Sequence, residues 1–511
     1  MLLLGDILRR NSKICPNKIA VICEENQLTF GQINNLVNQL ANALLSIGVQ
    51  RGDRVGLLIT NSHHFVTIYF AVIKLGAILV PINFWYKGSE ASFVVNKASV
   101  STLIVGEEFL GLTETIKRDC KSVLHYIVIG QNPPGEMLNY NALITSAPSN
   151  EPLAKVEEND PQLILFTSGT TGVPKGAVIT HRNYFLLSGI HSQYMGIGES
   201  DIYMNVYPMF HMGGAPLSMF PTFYVGATLV IISTPPTPKK MLEAIQRHKV
   251  THFMAVPTLW RRLLEYPEFD KYDLSSLKVA MGASDSMPKD LLEEVLKRCP
   301  ASSPQLYGLS EGGILTYLNP KESMKKIGSS GKPHCQAEIR LVDDNGQDVP
   351  LGAVGEIICR GEHTMSYYWD MPEETKTAIR EGWLYTGDLG KFDEEGYIYI
   401  VGRKKDMIIS GGQNIYPAEI EKKLLLNPKI EEVAVIGIPD REWGESVMAL
   451  VVLKKNENMS EEELINYVKE NMASYNKPRF VKFLDALPRT TATGKIQKAE
   501  LRKQVALELS I

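Results

Sequence analysis

The stretch "FTSGTTGVPKG", Phe166 to Gly176, holds four hydroxyl side chains, three glycines, one proline and one lysine. Hydroxyls and bare backbone N–H groups suit phosphate oxygens, and Lys175 adds a point charge. The Walker A loop, GxxxxGK[ST], is the obvious comparison, and the chain departs from it: "PKG" stands where "GK[ST]" belongs. The flanks differ as well. "QLILF" precedes the loop and "AVIT" follows it, so the segment is predicted to join two strands rather than to open a helix. Pro174 also opposes helix entry. Gly, Ser and Thr are ordinary turn residues when taken alone. Hydroxyls on both sides of a glycine, between two strands, make this stretch a candidate phosphate cradle.

Upstream of the loop, helical patterns alternate with short apolar runs. "FGQINNLVNQLANALLSIGV" carries apolar residues at helical spacing and ends near Gly48, after which "RVGLLIT" reads as a buried strand. "FVTIYFAVIKLG" is predicted as a helix, and "AILVPI", "STLIVG" and "HYIVIG" as strands. Downstream, the strands "ATLVIIS", "VTHFMAVP", "LKVAMGAS" and "SPQLYGLSE" are interleaved with the helices "PKKMLEAIQRHK" and "MPKDLLEEVLKRCP". Such alternation predicts layered α/β sheets, at least partly parallel. From about Ser329 the character changes. "AEIRLVDDNGQDVP", "GEIICRG" and "GYIYIVGR" read as short strands with "DNG" and "EEG" turns, a small antiparallel β subdomain. After "VGRKKD", "YPAEIEKKLLLNP" is a helix with Pro417 in its first turn. "EEVAVIGIP", "VMALVVLK" and "RFVKFLDALP" are strands, and "MSEEELINYVKENM" opens with Ser460 and Glu463 at capping-box spacing. The expected fold class is α/β. A large N-terminal domain of layered α/β sheets spans 1–402, with the β subdomain at about 325–402, and a small α+β C-terminal domain spans 403–511. The junction is placed at Arg403-Lys404-Lys405-Asp406.

A chain of 511 residues is too long for one ordinary core. Its net charge of -4 supplies no basic excess for nucleic acid or an anionic membrane. Six cysteines are scattered without a CxxC pair, which argues against a zinc site or a disulfide framework and for free thiols in the cytoplasm. "MLLLGDILRR" lacks the charged and long apolar regions of a signal peptide. The most apolar stretch, Phe65 to Ile82, is divided by Lys74, Gly76 and Pro81, so it reads as a buried helix and strand rather than a transmembrane segment.

"TSGTTGVPKG" resembles the phosphate loop of the adenylate-forming superfamily, which includes acyl-CoA synthetases, amino-acid-adenylating domains and beetle luciferases. Further motifs stand in that family's order: "YPMFH" (Tyr207 to His211), "AMGAS" (Ala280 to Ser284), "YGLSE" (Tyr307 to Glu311), "YTGDLG" (Tyr385 to Gly390), "GRKKDMIISGGQNIYPAEIE" (Gly402 to Glu421) and "PRTTATGKIQK" (Pro488 to Lys498). The series covers nearly the whole chain.

The resemblance implies a mobile C-terminal domain and the substrates ATP and coenzyme A, with Mg²⁺. It places Thr167, Ser168, Gly169, Thr170, Thr171, Gly172 and Lys175 on the ATP phosphates and Gly282 and Ala283 in the nucleotide site. Tyr307 would lie against adenine, helped by a backbone turn at Gly308. Glu311 and Thr167 would hold Mg²⁺, whose preference for oxygen ligands suits one carboxylate and one hydroxyl. Ser310 stands where the family usually has Thr and keeps the hydroxyl. A carboxylate can accept hydrogen bonds from two vicinal hydroxyls, and the resemblance gives Asp388 that role on ribose, with Arg403 assisting. Lys495 resembles the catalytic lysine of adenylation, a cation set between two anions in the transition state. Its "PRTTATGK" context is one residue longer than the family's usual spacing. Lys405 matches the hinge, and Gly411 and Gly412 of "SGGQN" the face that meets the pantetheine arm. His211 resembles the histidine near the acyl pocket and is grouped with the catalytic set, with no proton transfer assigned. Met281 stands where many relatives have glycine, which would narrow or shorten that pocket.

The implied activity is an AMP-forming acyl-CoA synthetase, with a medium- or long-chain fatty acid first among substrates. Alternatives are an aryl or cyclic-acid CoA ligase, a stand-alone adenylating enzyme that loads a carrier protein, and a catalytically inactive nucleotide- and acyl-binding protein. A homodimer stays open.

Overall fold

Pro161–Thr167 and Lys175–Thr180 pair antiparallel, with Thr167 opposite Lys175. The two ends of the phosphate stretch are therefore held side by side, as the strand–loop–strand reading expects. The computed structural model describes residues 3–167, 174–283, 287–489 and 496–509. The chain divides into two units, Met1–Ile339 with Cys359–Leu384, and Arg340–Ile358 with Tyr385–Ile511.

In the larger unit the loop-flanking strands belong to an eight-stranded sheet. Its order is Tyr367–Tyr368, Lys175–Thr180, Pro161–Thr167, Ile78–Pro81, Arg54–Leu58, Thr102–Gly106, His125–Ile129, Leu138–Asn139. From Pro161–Thr167 onward the neighbours run parallel. Ile78–Pro81 and Thr102–Gly106 are buried along their whole length, as parallel strands covered on both faces must be. The chain passes from Arg54–Leu58 to one neighbour and then back to the other, so connections leave in opposite directions there. The carboxyl ends of such strands open onto a crevice. A second, six-stranded sheet has the order Val279–Gly282, His252–Ala255, Ile202–Asn205, Thr228–Ile231, Ile19–Cys23, Asn26–Thr29. Gln305–Leu309, Gly313–Leu318 and Lys332–Pro333 form a third.

In the second unit, Asp388–Phe392, the end of the strand Trp383–Phe392, pairs antiparallel with Ile398–Arg403, with Asp388 opposite Arg403. Gly444–Leu453 is the centre of another sheet, flanked by Ile430–Asp440, Ile408–Ser410 and Phe480–Phe483. Ile420 and Leu424 of the helix Pro417–Leu424 and Leu464 and Val468 of Glu461–Asn471 pack on one face of it. Only half of the expected capping box forms. The Ser460 hydroxyl accepts from the Glu463 N–H (3.1 Å), whereas the Glu463 carboxylate pairs with Lys429 at 2.8 Å. The helix Lys498–Leu509 was not expected from "QKAELRK", yet Leu501 and Val505 bury against the sheet's other face. Among the described residues no helix is long and apolar enough to cross a membrane. All six cysteines are free thiols.

Candidate active site

At the mouth of the phosphate stretch, the Thr167 hydroxyl donates to Glu311 Oε1 at 3.0 Å. These residues are 144 positions apart and meet because the strand Pro161–Thr167 and the hairpin of Gln305–Leu309 and Gly313–Leu318 end together. Two hard oxygens at this separation, one of them anionic, fit the donor set that Mg²⁺ takes alongside phosphate oxygens and water. Lys175, at the other end of the stretch, holds its ammonium 5.3 Å from the centre of the Tyr368 ring. The Tyr368 hydroxyl donates to the same Glu311 Oε1 at 3.1 Å. Burial first, and then the Glu311 charge, push this phenol far above its ordinary value, so it stays a donor at neutral pH.

Tyr307 is 9% exposed and faces Thr316 across the hairpin. Gly308 lies within the strand Gln305–Leu309, at a register shift, and not in a turn as expected. Strand pairing continues through it, and the need for glycine is steric. Ser310 follows at the strand's end, half-buried.

The segment Tyr207 to Gly213 is fixed from behind by buried amides. Asn61, just past the carboxyl end of Arg54–Leu58, donates to the Tyr207 carbonyl and accepts from the Met209 N–H, both at 2.8 Å. Asn205 donates to the Tyr207 carbonyl at 2.9 Å, and the Ser218 hydroxyl to the Gly213 carbonyl at 2.8 Å. Ser218 lies in a π-helical turn, Ala215–Met219, a geometry common at functional sites. The Gly213 N–H donates to His211 Nδ1 at 3.2 Å. The Tyr207 hydroxyl reaches the carbonyl of Ala283 at 3.4 Å, which links this segment to Gly282 and Ala283 at the end of the strand Val279–Gly282, two places from Ile202–Asn205 in the same sheet. Met281 is fully buried, with its carbonyl accepting from Trp260 Nε1 at 3.0 Å.

Within the second unit, Asp388 Oδ1 and Arg403 Nε are 2.9 Å apart, and the carboxylate is far more buried than its partner. The Gly387 N–H donates to Glu356 Oε1 at 3.2 Å, and Lys404 Nζ meets Glu356 Oε2 at 2.8 Å. Glu356 thus ties the strand around Asp388 to the residue before Lys405. Beyond Lys405, Asp406 is gripped by Arg502 at 2.9 Å. Gly411 and Gly412 adopt φ of +57° and +78°. Gly411 lies against the ring of Trp443, which is covered on its face by the Arg479 guanidinium at 4.7 Å from the centroid.

The structure therefore brings Thr167, Lys175 and Glu311 together in one unit and Asp388 and Arg403 together in the other. Ser168, Gly169, Thr170, Thr171, Gly172 and Lys495, with Ser284 of "AMGAS", lie outside the described residues. Tyr368, Asn61, Asn205, Ser218 and Glu356 were not singled out from sequence. Asn61 alone left a signal, a polar residue three positions past the end of a buried parallel strand.

Comparison with known proteins gives a consistent family. The model for the AMP-binding enzyme matches residues 8–369, and that for the AMP-binding enzyme C-terminal domain matches residues 419–495. The indoleacetate–CoA ligase of Aromatoleum aromaticum is 35% identical over 98% of both chains. A long-chain-fatty-acid–CoA ligase of Mycobacterium tuberculosis is 33% identical, again over 98% of both. Among solved structures, the anthranilate CoA ligase AuaEII in complex with anthranoyl-AMP superposes with a TM-score of 0.92. It is 33% identical, covering 100% of this chain and 98% of that one.

Proposed function

The chain belongs to the AMP-binding enzyme family as an AMP-forming acid–thiol ligase, and from that premise we propose that it joins a hydrophobic carboxylic acid to coenzyme A in two steps. The observation that carries this is the meeting of Thr167, Glu311 and Lys175 at the ends of the phosphate stretch. In the first step an oxygen of the substrate carboxylate attacks the α-phosphorus of ATP. The bond to the β-phosphate oxygen breaks, giving acyl-AMP and pyrophosphate. Thr167 and Glu311 would hold Mg²⁺, which when bound neutralises phosphate charge. Lys175 and the stretch Ser168 to Gly172 bind the phosphates, Tyr307 faces the adenine, and Asp388 with Arg403 takes the ribose hydroxyls. Lys495 would supply the cation that offsets the charge concentrating at the carboxylate and the α-phosphate in the transition state. In the second step the thiol sulfur of coenzyme A attacks the acyl carbonyl, AMP leaves with the bonding electron pair, and the thiol proton passes to solvent.

The domain boundary is placed at 402/403, with Lys405 as hinge. Lys405 sits between Lys404, paired with Glu356, and Asp406, paired with Arg502. Gly411 and Gly412 line the passage of the pantetheine arm. The free thiols fit a cytoplasmic enzyme.

A medium- or long-chain fatty acid is the first substrate reading. The names of the indoleacetate and anthranilate ligases favour an aromatic acid as the second. Coenzyme-A-dependent AMP release, measured across short, medium, long and aromatic acids, separates the two. Exchange of pyrophosphate into ATP with an acid, without acyl-CoA when free coenzyme A is supplied, would indicate a carrier-protein acceptor. Absence of exchange with every acid would indicate a binding protein.

A further inference from the structure

A short strap, residues 365–369, runs along the strand that leaves the phosphate stretch. Tyr367 pairs with Val178 and Tyr368 with Ala177. The Ser366 N–H donates to the Val178 carbonyl at 2.9 Å, and the Trp369 N–H to the Gly176 carbonyl at 2.7 Å. The strap's other end is tied to Glu311, whose backbone carbonyl accepts from the Met365 N–H at 2.7 Å. Five residues thus fasten the exit of the phosphate stretch to the backbone of Glu311. Side chains complete the link: the Tyr368 hydroxyl donates to the Glu311 carboxylate, and its ring lies beneath the Lys175 ammonium.

We propose that Tyr368 is a positioning residue for the magnesium-bound triphosphate, aiming the Glu311 carboxylate through its hydroxyl and restraining Lys175 through its ring. The proposal rests on the assignment of Thr167 and Glu311 to the metal. A carboxylate held by Thr167 alone can turn about its terminal torsion. A second donor on the same oxygen, delivered from a strand on the sheet edge, fixes the plane in which the carboxylate meets a cation. A hydrogen bond to a charged acceptor is among the stronger kinds. An aromatic that only filled space would not need the hydroxyl, so phenylalanine would serve equally well.

That difference gives the test. ATP binding is measured by calorimetry at a series of free Mg²⁺ concentrations and in EDTA, for the wild type, Tyr368→Phe and Tyr367→Phe. Tyr367, more exposed on the strand's other face, is the control. Tyr368→Phe is expected to raise the free Mg²⁺ for half-maximal ATP binding about tenfold while leaving binding in EDTA and the melting temperature unchanged. Tyr367→Phe is expected to match the wild type. A wild-type Mg²⁺ response in Tyr368→Phe, or an equal loss with and without the metal, overturns the role of Tyr368 alone. Wild-type ATP binding without Mg²⁺ dependence overturns the metal assignment of Thr167 and Glu311 as well.

Discussion

Gly308 has room for a hydrogen and no more. A Cβ there would stand 2.3 Å from the Gly313 carbonyl oxygen and 2.9 Å from the Ile314 Cα, and neither backbone atom can swing aside. At Gly312 the nearest obstacle, 2.6 Å away, is the end of the Leu309 side chain. Gly308→Ala is therefore expected to lower stability by about 1–3 kcal/mol and to weaken ATP binding, while Gly312→Ala costs less. Thermal melts and ATP titration of the two variants check the order. Lys495→Ala is expected to slow acyl-AMP formation by roughly 100-fold or more and to spare thioester formation from supplied acyl-AMP. Equal loss of both half-reactions would contradict its assignment. The family resemblance put Thr167 with Glu311 and Asp388 with Arg403, and the structure pairs each couple. Tyr368 was not legible: "SYYWD" has no periodicity that selects one tyrosine, and its role arises only from pairing with a strand some 190 positions upstream. Glu356 was hidden for the same reason, since a strand carboxylate reads as a solvated face until Gly387 and Lys404 are found on it.

Elements were more legible than their ends. The strands around the phosphate stretch followed from apolar runs and Pro174, and the helix His63–Lys74 from its spacing before Gly76. Capping was less so, because Glu463 can turn to its own backbone or to Lys429, and only the tertiary arrangement decides. The "SGGQN" loop joins Ile408–Ser410 to Gln413–Ile415, and it owes its path to two glycines in left-handed conformation. At Gly411 a Cβ would be strained by the positive φ and would stand 2.4 Å from the Trp443 ring. Gly411→Ala must therefore displace the loop or the indole. A displacement of about 1 Å in a positioning element costs up to roughly 100-fold in rate. Gly411→Ala is expected to slow thioester formation from supplied acyl-AMP by roughly 10- to 100-fold, with pyrophosphate exchange retained. Loss of exchange as well would remove this loop from the second step.

Across the whole molecule, periodicity yields strands and helices but not the order in which strands pair. Nothing local places Tyr367–Tyr368 on the edge of a sheet begun at Arg54, or Ile202–Asn205 between Thr228–Ile231 and His252–Ala255. Long-range packing also buries titratable groups whose sequence gives no warning. His181, His191 and His363 are at most 1% exposed in the larger unit. Burial pulls the first down to about 4 and the other two to about 3, with the neighbouring His252 and His334 adding to the latter pair. Both ring nitrogens of His363 lack a hydrogen-bond partner among the described residues, so nothing in its site compensates a charge. In the unfolded chain these imidazoles titrate near 6.5. Above that pH neither state is protonated and the groups are silent. As pH falls below it, the unfolded chain takes up protons that the folded chain refuses, and stability drops until about 3 to 4. At pH 5.5 each group should have removed about 1.4 kcal/mol, before carboxylates with depressed values, such as Asp201, begin to protonate. The melting temperature should therefore fall clearly between pH 7.5 and 5.5. In His363→Leu, which keeps an apolar side chain and removes one titration, the fall should be smaller by one group's share. An acid dependence identical to that of the wild type would show that His363 is not among the groups that set it.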